Sequence, residues 1–211
     1  RMGRALEYAL AFGLPLSVHE EEMQLVGKGV MHEGPAATRL GLKGIPGQAE
    51  EVMVLRDLAL AELTGGRLHL CHLSSAGSVR AVREAKRRGL RVTAEVTPHH
   101  LALSDEDLAR SGYDTDFKMN PPLRSEGDVR ACREGLADGT IDCIATDHAP
   151  HAIEEKQLEF DAALNGIVGL ETTFPVCLDL VRRQELTERR LVDALTAAPA
   201  RAFGLPGGSL A

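Results

Sequence analysis

The stretch of sequence that says most about the fold is Ile141-Asp142-Cys143-Ile144-Ala145-Thr146-Asp147-His148-Ala149-Pro150-His151. Its first four residues form a largely apolar run that predicts a short buried strand. Pro150 keeps the following segment out of a helix. Asp147 therefore comes just after a strand end, close to His148 and His151, and side chains of these types bind divalent metals or transfer protons. A solvated loop that happens to carry two histidines is the alternative for this segment taken alone.

Two other predicted strands also end in histidine. Residues 14–18 lead into His19, and residues 67–71 lead into His72. A single histidine at a strand end is more often structural than a ligand. Parallel strands of a barrel, however, place their carboxyl ends on one face, where side chains distant in sequence meet. Two imidazoles and a carboxylate suit Zn²⁺ or a similar ion, so we predict His19, His72 and Asp147 as metal ligands.

Helical and strand patterns alternate along the chain, with short glycine-bearing connections between them. This alternation is typical of a parallel α/β sheet. A fourth predicted strand covers residues 91–96, and the glycine-rich residues 23–47 are predicted to be irregular. Four strands are half the number needed to close a (β/α)₈ barrel, so the chain is predicted to form a contiguous half of a larger barrel. The predicted helices cover residues 2–12, 48–64, 76–88, 104–110, 125–137, 169–184 and 187–202.

The helix over residues 48–64 has an apolar stripe that predicts which of its faces is buried. The stripe consists of Val52, Leu55, Leu58, Ala59 and Leu63. Side chains at this helical spacing share one face, which we expect to pack on the sheet.

Composition excludes several classes of protein. The 211 residues carry a net charge of −7, and only 3% of them are aromatic, which argues against a nucleic-acid surface. No apolar run approaches the length that spans a membrane. The four cysteines form no CxxC pair and lie in apolar segments, as expected for buried free thiols in a cytoplasmic protein.

Six short motifs follow one another along the chain. They are Val18-His19-Glu20-Glu21, Cys71-His72-Leu73-Ser74, Thr97-Pro98-His99-His100-Leu101, Lys118-Met119-Asn120-Pro121-Pro122-Leu123-Arg124, Thr146-Asp147-His148-Ala149-Pro150-His151 and Gly166-Ile167-Val168-Gly169-Leu170-Glu171. In this order they resemble the bacterial long-form dihydroorotases of the amidohydrolase superfamily. The resemblance implies a metal-dependent (β/α)₈ TIM barrel flanked by a small β-domain. It further implies that residues 1–204 form the C-terminal half of the barrel and that residues 205–211 begin the return to the β-domain.

The same resemblance implies an enzyme of pyrimidine biosynthesis that interconverts N-carbamoyl-L-aspartate and (S)-dihydroorotate, with two zinc ions in its active site. His19 and His72 correspond to ligands of the more buried zinc. Asp147 corresponds to a ligand of the other zinc and to the catalytic base. The residues that correspond to substrate contacts are Asn120, His151, Asn165 and Gly166, the last two through their backbone.

The chemistry of these side chains suits those roles. Hydrolysis of a cyclic amide needs an activated water and a polarised carbonyl, and a metal ion supplies both. Asp147 can accept a proton and pass it to the leaving nitrogen. Asn120 offers both a donor and an acceptor to an imide-like ring. His151 can pair with a substrate carboxylate or a developing oxyanion.

The chain departs from the family pattern in three places. The His-x-His-Leu-Arg motif, which supplies two ligands and the arginine that holds the substrate carboxylate, is absent. The bridging ligand, an aspartate or a carboxylated lysine, is expected just before residue 1. The family's Ala-Pro-Phe-Gly is replaced by Ala163-Leu164-Asn165-Gly166. The segment alone is therefore expected to be inactive.

Two alternatives stay open. One is another cyclic amidohydrolase, dihydropyrimidinase or allantoinase, for which different residues are expected at the positions of Asn120 and His151. The other is a non-catalytic homologue that serves as a structural partner of aspartate transcarbamoylase. The chain keeps every ligand that its length allows, which favours the enzyme. The predicted partners are a small-molecule substrate, a second copy in a homodimer and aspartate transcarbamoylase, with no nucleic acid and no membrane.

The remaining polar residues have simpler interpretations. His99 and His100 are predicted to be structural, and His148 and His69 to orient neighbours or to lie in the core. His32 and the run Glu20–Glu22 are predicted to be solvated, although one of the three carboxylates could hydrogen-bond a ligand histidine.

Overall fold

The main sheet consists of parallel strands whose order follows the chain. The computed structural model describes residues 1–209. Its strands are β1 (Pro15–Val18), β2 (Met31–His32), β3 (Gly44–Ile45), β4 (Arg67–Leu70), β5 (Val92–Val96) and β6 (Cys143–Ile144). The sheet order is β1-β4-β5-β6, and β2 and β3 form a separate parallel pair. The prediction of a four-stranded parallel sheet is confirmed.

Helices connect the strands of this sheet. They are α1 (Met2–Ala11), α2 (Met23–Val26), α3 (Pro35–Leu40), α4 (Gln48–Thr64), α5 (Ala76–Arg87), α6 (Pro98–Ala102), α7 (Asp105–Ser111), α8 (Glu126–Asp138), α9 (Ile153–Lys156), α10 (Thr173–Arg182), α11 (Glu188–Leu195) and α12 (Ala197–Phe203), with a 3₁₀ turn at Thr115–Phe117. Residues 205–209 form neither helix nor strand, and residues 210 and 211 lie outside the described part of the chain. The predicted return to a β-domain over 205–211 therefore stays a prediction.

The register of the strands brings their carboxyl ends to one edge of the sheet. Val18 is opposite Leu70, Leu70 is opposite Ala94, and Val96 is opposite Ile144. The residues that follow β1, β4, β5 and β6 consequently face the same side of the molecule. This is the edge at which α/β proteins bind their ligands.

Two of the predicted elements need correction. Residues 23–47 are not wholly irregular, because α2, β2, α3 and β3 lie within them. The predicted helix over 187–202 is two helices, since Thr196 has φ −132° and ψ −80° and ends α11 before α12 begins. Both differences concern short elements, whose boundaries depend on single caps and turns.

Helix starts follow the capping chemistry of the sequence. Ser104 and Asp107 form the predicted capping box of α7, and Ser125 and Asp128 form another at α8. In each box the serine side chain satisfies a free backbone N–H and the aspartate returns a bond to the cap residue. The aspartate in place of the usual glutamate does not prevent this arrangement.

Of the five residues predicted to share the buried face of α4, only Leu58 is buried. Val52, Leu55 and Leu63 are 42%, 57% and 80% exposed, and Ala59 is exposed as well. The face toward the core carries Ala49, Glu50, Val54, Asp57, Leu58 and Ala61. Glu50 and Asp57 made the inner face look polar in the sequence. They are buried because partners from other elements surround them, which hydropathy along one helix does not reveal.

The hydrophobic core lies between the sheet and its helices in two main clusters. One cluster joins α1, α4 and α5 to β4 and β5, with Leu6, Leu70 and Val82 fully buried. The other joins β5, β6 and helices α8, α10 and α11, with Leu136 and Ile141 fully buried. This packing stabilises the sheet from which the site residues project.

The cysteines agree with the prediction of free thiols. Cys132, Cys143 and Cys177 are buried and Cys71 is half-buried, all without a disulfide. Among the described residues, no helix combines the length and the apolar character needed to cross a membrane.

Candidate metal and substrate site

The histidines that follow β1 and β4 meet at the edge of the sheet. Because β1 and β4 are neighbours in register, the residues just beyond Val18 and Leu70 lie side by side. His19 Nδ1 lies 2.9 Å from His72 Nε2, and the two rings pack edge to face with centroids 4.6 Å apart. The structure thus brings together two of the three side chains predicted to bind a metal.

The chemistry of this pair fits a borderline divalent ion such as Zn²⁺. Burial and the neighbouring His19 lower the pKa of His72, and the carboxylate of Asp147 opposes this shift. A lowered pKa favours the neutral imidazole, which is the form that binds a metal. Within residues 1–209, however, no group of three or more histidine, cysteine, aspartate or glutamate side chains is placed to hold a metal ion. This segment assembles a pair of donors rather than a complete coordination shell.

Two of the predicted ligands have an unusual backbone conformation. His72 has φ +32° and lies two residues after the end of β4, and Asp147 has φ +45° and lies three residues after the end of β6. Positive φ is uncommon for residues other than glycine and persists only where the surroundings hold it. Such conformations concentrate at functional sites, so this observation supports a role for both residues independently of their side-chain chemistry.

Asp147 lies at the far edge of the sheet. It follows β6, which is two strands away from β4 and three from β1. Its side chain is half-buried. The field of its carboxylate reaches His72, although the described contacts place no ligand atom of Asp147 beside the histidine pair.

Glu21 connects the histidine pair to Asn120. Its Oε2 lies 3.3 Å from His19 Nε2, and its Oε1 accepts a 3.1 Å hydrogen bond from Asn120 Nδ2. Asn120, a predicted substrate contact, therefore lies at the same end of the sheet as the predicted metal ligands. The one feature of the sequence that could have indicated the contact with His19 is the position of Glu21 two residues after this strand-end histidine.

The prediction that Glu20–Glu22 form a solvated run is wrong. Burial and the charge of Asp57 raise the pKa of Glu20, which is only 4% exposed, to about 8. The side chain of Glu22 caps α2 by accepting a hydrogen bond from the backbone of Gln24. Each carboxylate thus has a different environment, which three identical letters in a row do not indicate.

His100 holds the segment that carries Asn120. Its Nε2 donates to the carbonyl of Pro121 at 3.0 Å, and its Nδ1 lies 2.8 Å from the hydroxyl of Thr97. Burial lowers the pKa of His100 to about 4, so the ring is neutral. His100 and the adjacent buried His99 accordingly occupy structural positions, as predicted from the sequence.

A buried network supports the turn after His72. Glu50 accepts hydrogen bonds from the backbone N–H groups of Ser74 and Ser75, each at 3.1 Å. Arg124 donates to the hydroxyl of Ser74 at 3.0 Å and lies 3.8 Å from the Glu50 carboxylate. Burial alone raises the pKa of Glu50, but Arg124 and the serine donors outweigh it and lower the pKa overall. This network ties α4, the end of β4 and the Asn120 segment together.

The other predicted substrate residues form a second group beside Asp147. His151 Nε2 lies 2.9 Å from the carbonyl oxygen of Asn165. A Cβ on Gly166 would come within 2.4 Å of the Ala149 carbonyl oxygen and 2.8 Å of the His151 ring, so this position requires glycine. The structure brings His151, Asn165 and Gly166 together.

Two lysine residues form hydrogen bonds with many of the backbone groups in the loop that carries Asn165 and Gly166. The Gly166 N–H donates to the carbonyl of Lys118 at 2.9 Å, and Lys156 Nζ donates to the Gly166 carbonyl at 3.0 Å. Lys118 Nζ donates to the carbonyls of Asp161 and Ala163. A backbone contact to a substrate ring from this loop must therefore use the Asn165 N–H or a second lone pair of a carbonyl oxygen.

The remaining histidines have structural surroundings. His148 Nδ1 accepts hydrogen bonds from the backbone of Gly169 and Leu170, and buried His69 contacts Thr93 and Glu95. His32 is not solvated as predicted. It is half-buried, and burial followed by the charge of nearby Arg124 lowers its pKa.

Comparison with known proteins identifies close relatives of the chain. A dihydroorotase from Anaeromyxobacter dehalogenans (strain 2CP-C) is 79% identical over 210 residues, which cover 100% of this chain and 48% of that protein. A dihydroorotase from Pelotomaculum thermopropionicum is 59% identical over 210 residues, covering 99% of this chain and 49% of that protein. The chain therefore spans about half the length of the curated relatives it matches.

Solved structures share the fold. A D-hydantoinase (dihydropyrimidinase) from Thermus sp. superposes with a TM-score of 0.85 at 29% identity, over 100% of this chain and 48% of that chain. An L-hydantoinase (dihydropyrimidinase) from Arthrobacter aurescens gives a TM-score of 0.86 at 27% identity, with the same coverage. The parallel sheet is thus a partial barrel of the kind found in these proteins. Since residues 4–211 match the amidohydrolase family and the close relatives are dihydroorotases, the chain belongs to the amidohydrolase family.

Proposed function

We propose that the full-length protein containing this segment is a zinc-dependent dihydroorotase, which interconverts N-carbamoyl-L-aspartate and (S)-dihydroorotate in pyrimidine biosynthesis. The observation that carries the proposal is the pair His19 and His72, 2.9 Å apart, with Asn120 tied to it through Glu21. A metal-binding pair and a group suited to an imide-like ring thus share one edge of the sheet. The high identity to dihydroorotases supports the same conclusion.

His19 and His72 are the residues of this segment that would hold the more buried metal ion, and Asp147 would bind the second. A divalent zinc ion supplies Lewis acidity at such a site. On the family resemblance, further ligands and the arginine that holds the substrate carboxylate would lie outside this segment.

Proton transfer is assigned to Asp147. The ring-opening reaction needs a base for the attacking water and an acid for the leaving ring nitrogen, and one carboxylate can serve in both roles. Asp147 is half-buried, lies three residues after β6 and has an unusual backbone conformation. These features suit a side chain that must keep one orientation while it exchanges protons.

Asn120, His151 and the loop at Asn165 and Gly166 are assigned to the substrate. Among residues 1–209 the amide oxygen of Asn120 has no hydrogen-bond partner while its nitrogen is engaged by Glu21, so the oxygen can accept from a ring N–H. His151 is held by the Asn165 carbonyl and lies 3.4 Å from Glu155, so its ring has a defined orientation. To donate to an anionic oxygen of the substrate, the His151 ring would exchange one of these two contacts for the substrate.

The alternatives make different predictions for substrates. The similarity to hydantoinase structures is compatible with a dihydropyrimidinase-type activity. A non-catalytic partner of aspartate transcarbamoylase has no need to keep the histidine pair. Purified full-length protein should hydrolyse dihydroorotate in preference to dihydrouracil, hydantoin and allantoin. Preference for one of the other rings, or no hydrolysis of any, would contradict the proposal.

The metal assignment is tested by a matched pair of substitutions. In the full-length protein, His72→Asn should remove bound zinc, because it deletes one imidazole of the facing pair. His148→Asn should keep it, because the hydrogen bonds of the His148 ring within residues 1–209 come from backbone N–H groups, and Asn can also accept those bonds. Elemental analysis measures both. Equal zinc content in the two variants would rule out His72 as a ligand.

Residues 1–211 alone should not hydrolyse dihydroorotate with added zinc, because β1 and β6 end the sheet as open edges and the donors present do not form a complete coordination shell.

We also propose a cytoplasmic location and association as a homodimer or with aspartate transcarbamoylase. The molar mass of the full-length protein, measured by light scattering with and without that partner, decides between the two assemblies.

A further inference from the structure

We propose that Glu21 is a positioning residue whose single carboxylate orients both His19 and Asn120, and thereby links the predicted metal ligand to the group that recognises the substrate ring. The proposal rests on the proposed function for the roles of His19 and Asn120. The sequence leaves open that one carboxylate of Glu20–Glu22 hydrogen-bonds a ligand histidine; the proposal identifies it as Glu21 and adds the link to Asn120.

The two oxygens of Glu21 serve different partners. Oε2 lies 3.3 Å from His19 Nε2, and Oε1 lies 3.1 Å from Asn120 Nδ2. The side chain is 19% exposed, so solvent competes only weakly for these contacts. Because each partner has its own oxygen, both contacts can exist at the same time.

The contact with His19 determines which of its nitrogens is available to a metal. An ionised carboxylate only accepts hydrogen bonds, so His19 Nε2 carries the proton. The lone pair is then on Nδ1, which is the nitrogen that faces His72 Nε2 at 2.9 Å. Carboxylates behind ligand histidines fix the tautomer and the ring orientation in this way and raise the basicity of the ligand.

The contact with Asn120 determines which way its amide points. The nitrogen and the oxygen of a side-chain amide can exchange places by a simple rotation. Only the nitrogen can donate to a carboxylate, so Glu21 turns the Asn120 Oδ1 away from itself. The amide therefore presents a free acceptor, which matches the N–H of a cyclic amide or imide.

The neighbouring carboxylates have other partners. Glu20 is buried against Asp57 and Arg56. Glu22 caps α2 through a 3.1 Å hydrogen bond from the Gln24 backbone. Glu22 is consequently a matched control, since it carries the same charge one residue away and contacts neither His19 nor Asn120.

The first test compares Glu21→Gln with Glu22→Gln in the full-length protein. Glutamine at position 21 keeps the size of the side chain but has only one accepting oxygen, so it cannot satisfy both donors. We expect the Kd for zinc, measured by competition with a chromophoric chelator, to rise by about 10- to 100-fold in Glu21→Gln. The KM for dihydroorotate should rise as well. Glu22→Gln should keep both values close to those of the wild type.

The second test measures the link between Glu21 and Asn120. Asn120→Ala should raise the KM while leaving the Kd for zinc close to that of the wild type. Once Glu21→Gln has released the Asn120 amide, Asn120→Ala should raise the KM by a smaller factor than it does in the wild-type background. An unchanged Kd for zinc in Glu21→Gln, or fully additive effects on KM, would overturn the proposal.

The outcomes separate this inference from the proposed function. If the wild-type protein does not act on dihydroorotate, the proposed function fails, and the zinc affinities of the Glu21→Gln and Glu22→Gln variants still decide whether Glu21 supports His19. If the wild type is active and the two variants behave alike, Glu21 has no positioning role.

Should Glu21→Gln fail to show a cooperative thermal transition, Glu21→Asp replaces it. Its shorter carboxylate reaches only one partner, so unchanged zinc affinity together with unchanged KM would overturn the proposal.

Discussion

Two regions of the molecule carry residues of one candidate site, but the chain assembles them to different degrees. The loops after β1 and β4, together with the segment before α8 that carries Asn120, form a continuous hydrogen-bonded group in which His19, His72, Glu21 and Asn120 are joined by contacts of 2.9–3.3 Å. The loop after β6 contains exposed Asn165 and a half-buried Asp147. Large apolar side chains in and after that loop are also exposed, namely Ile153, Leu158, Leu164, Val168, Leu170 and Phe174.

The difference follows from the order of the strands. β1 and β4 are hydrogen-bonded neighbours, so the residues after them meet without help from the rest of the molecule. β6 is separated from β4 by β5. Two interstrand spacings amount to about 10 Å in a flat sheet, and the curvature of a closed barrel shortens that distance. Contacts between neighbouring strands are therefore determined locally, whereas the approach of Asp147 to the histidines depends on the shape of the whole barrel.

The largest expected effect comes from breaking the second region at Asp147. In the full-length protein, Asp147→Asn should lower kcat by at least the factor of about 10²–10⁴ that general acid–base catalysis contributes. Asparagine keeps the shape of the side chain but cannot accept the proton. The control is Asp161→Asn, which changes an exposed aspartate between α9 and α10. Steady-state kinetics with kcat within about tenfold of the wild type would remove Asp147 from the proposed mechanism.

The next largest effect is expected on the free energy of unfolding, when the buried network that supports the turn after His72 is broken. Glu50→Ala leaves the N–H groups of Ser74 and Ser75 without their acceptor and buried Arg124 without its counter-ion. We expect the free energy of unfolding, measured in urea, to fall by about 3–5 kcal/mol.

The control for this substitution is Glu106→Ala. Glu106 pairs with Arg39 at 2.6 Å, but both side chains are well exposed. Removing an exposed pair of this kind should cost about 0–1 kcal/mol. Similar losses for the two variants would contradict the view that the buried network stabilises the turn after His72.

A smaller effect is expected at the close approach within the second region. Gly166→Ala places a Cβ 2.4 Å from the Ala149 carbonyl oxygen, so the backbone must shift at a cost of about 1–3 kcal/mol. The shift should also raise the KM by moving His151. Gly127→Ala in α8 is the control, because its Cβ meets nothing nearer than 3.6 Å. That change should stabilise the helix by about 0.5–1 kcal/mol, and equal effects of the two substitutions would contradict the packing at Gly166.

A further expected effect is a dependence of stability on pH through His100. Its pKa is lowered from 6.5 to about 4 by burial, so below pH 6.5 the unfolded state takes up a proton that the native state does not. Stability should therefore decrease as the pH falls from 6.5 to about 4. His100→Asn should reduce this dependence in urea unfolding at several pH values. If the free energy of unfolding of the variant depends on pH as steeply as that of the wild type, His100 is not buried in its neutral form.

The sequence motifs located most of the candidate site. Strand-end histidines and the aspartate after the fourth strand follow from short patterns, and the parallel sheet follows from their alternation with helices. These features have a period or a position that is visible within a few residues. The capping box at Ser104 and Asp107 was predictable for the same reason.

Features that depend on distant partners were missed or misjudged. Glu21 contacts Asn120, which is 99 residues away, and nothing close to Glu21 in the chain indicates this partner. The face of α4 that carries Glu50 and Asp57 looks polar in the sequence but packs inward, because other elements surround these two side chains. Whether a carboxylate is buried is determined by what it meets after folding.

The sequence by itself determined the class of fold, the candidate ligands and the family resemblance, since these rest on local periodicity and on the order of motifs. Only the tertiary structure decided that His19 faces His72 through Nδ1, that Glu21 joins them to Asn120, and that Asp147 lies at the far edge of the sheet. The physical reason is that distances between side chains depend on which strands are neighbours and on how the sheet curves. Neither property is encoded at any single position in the chain.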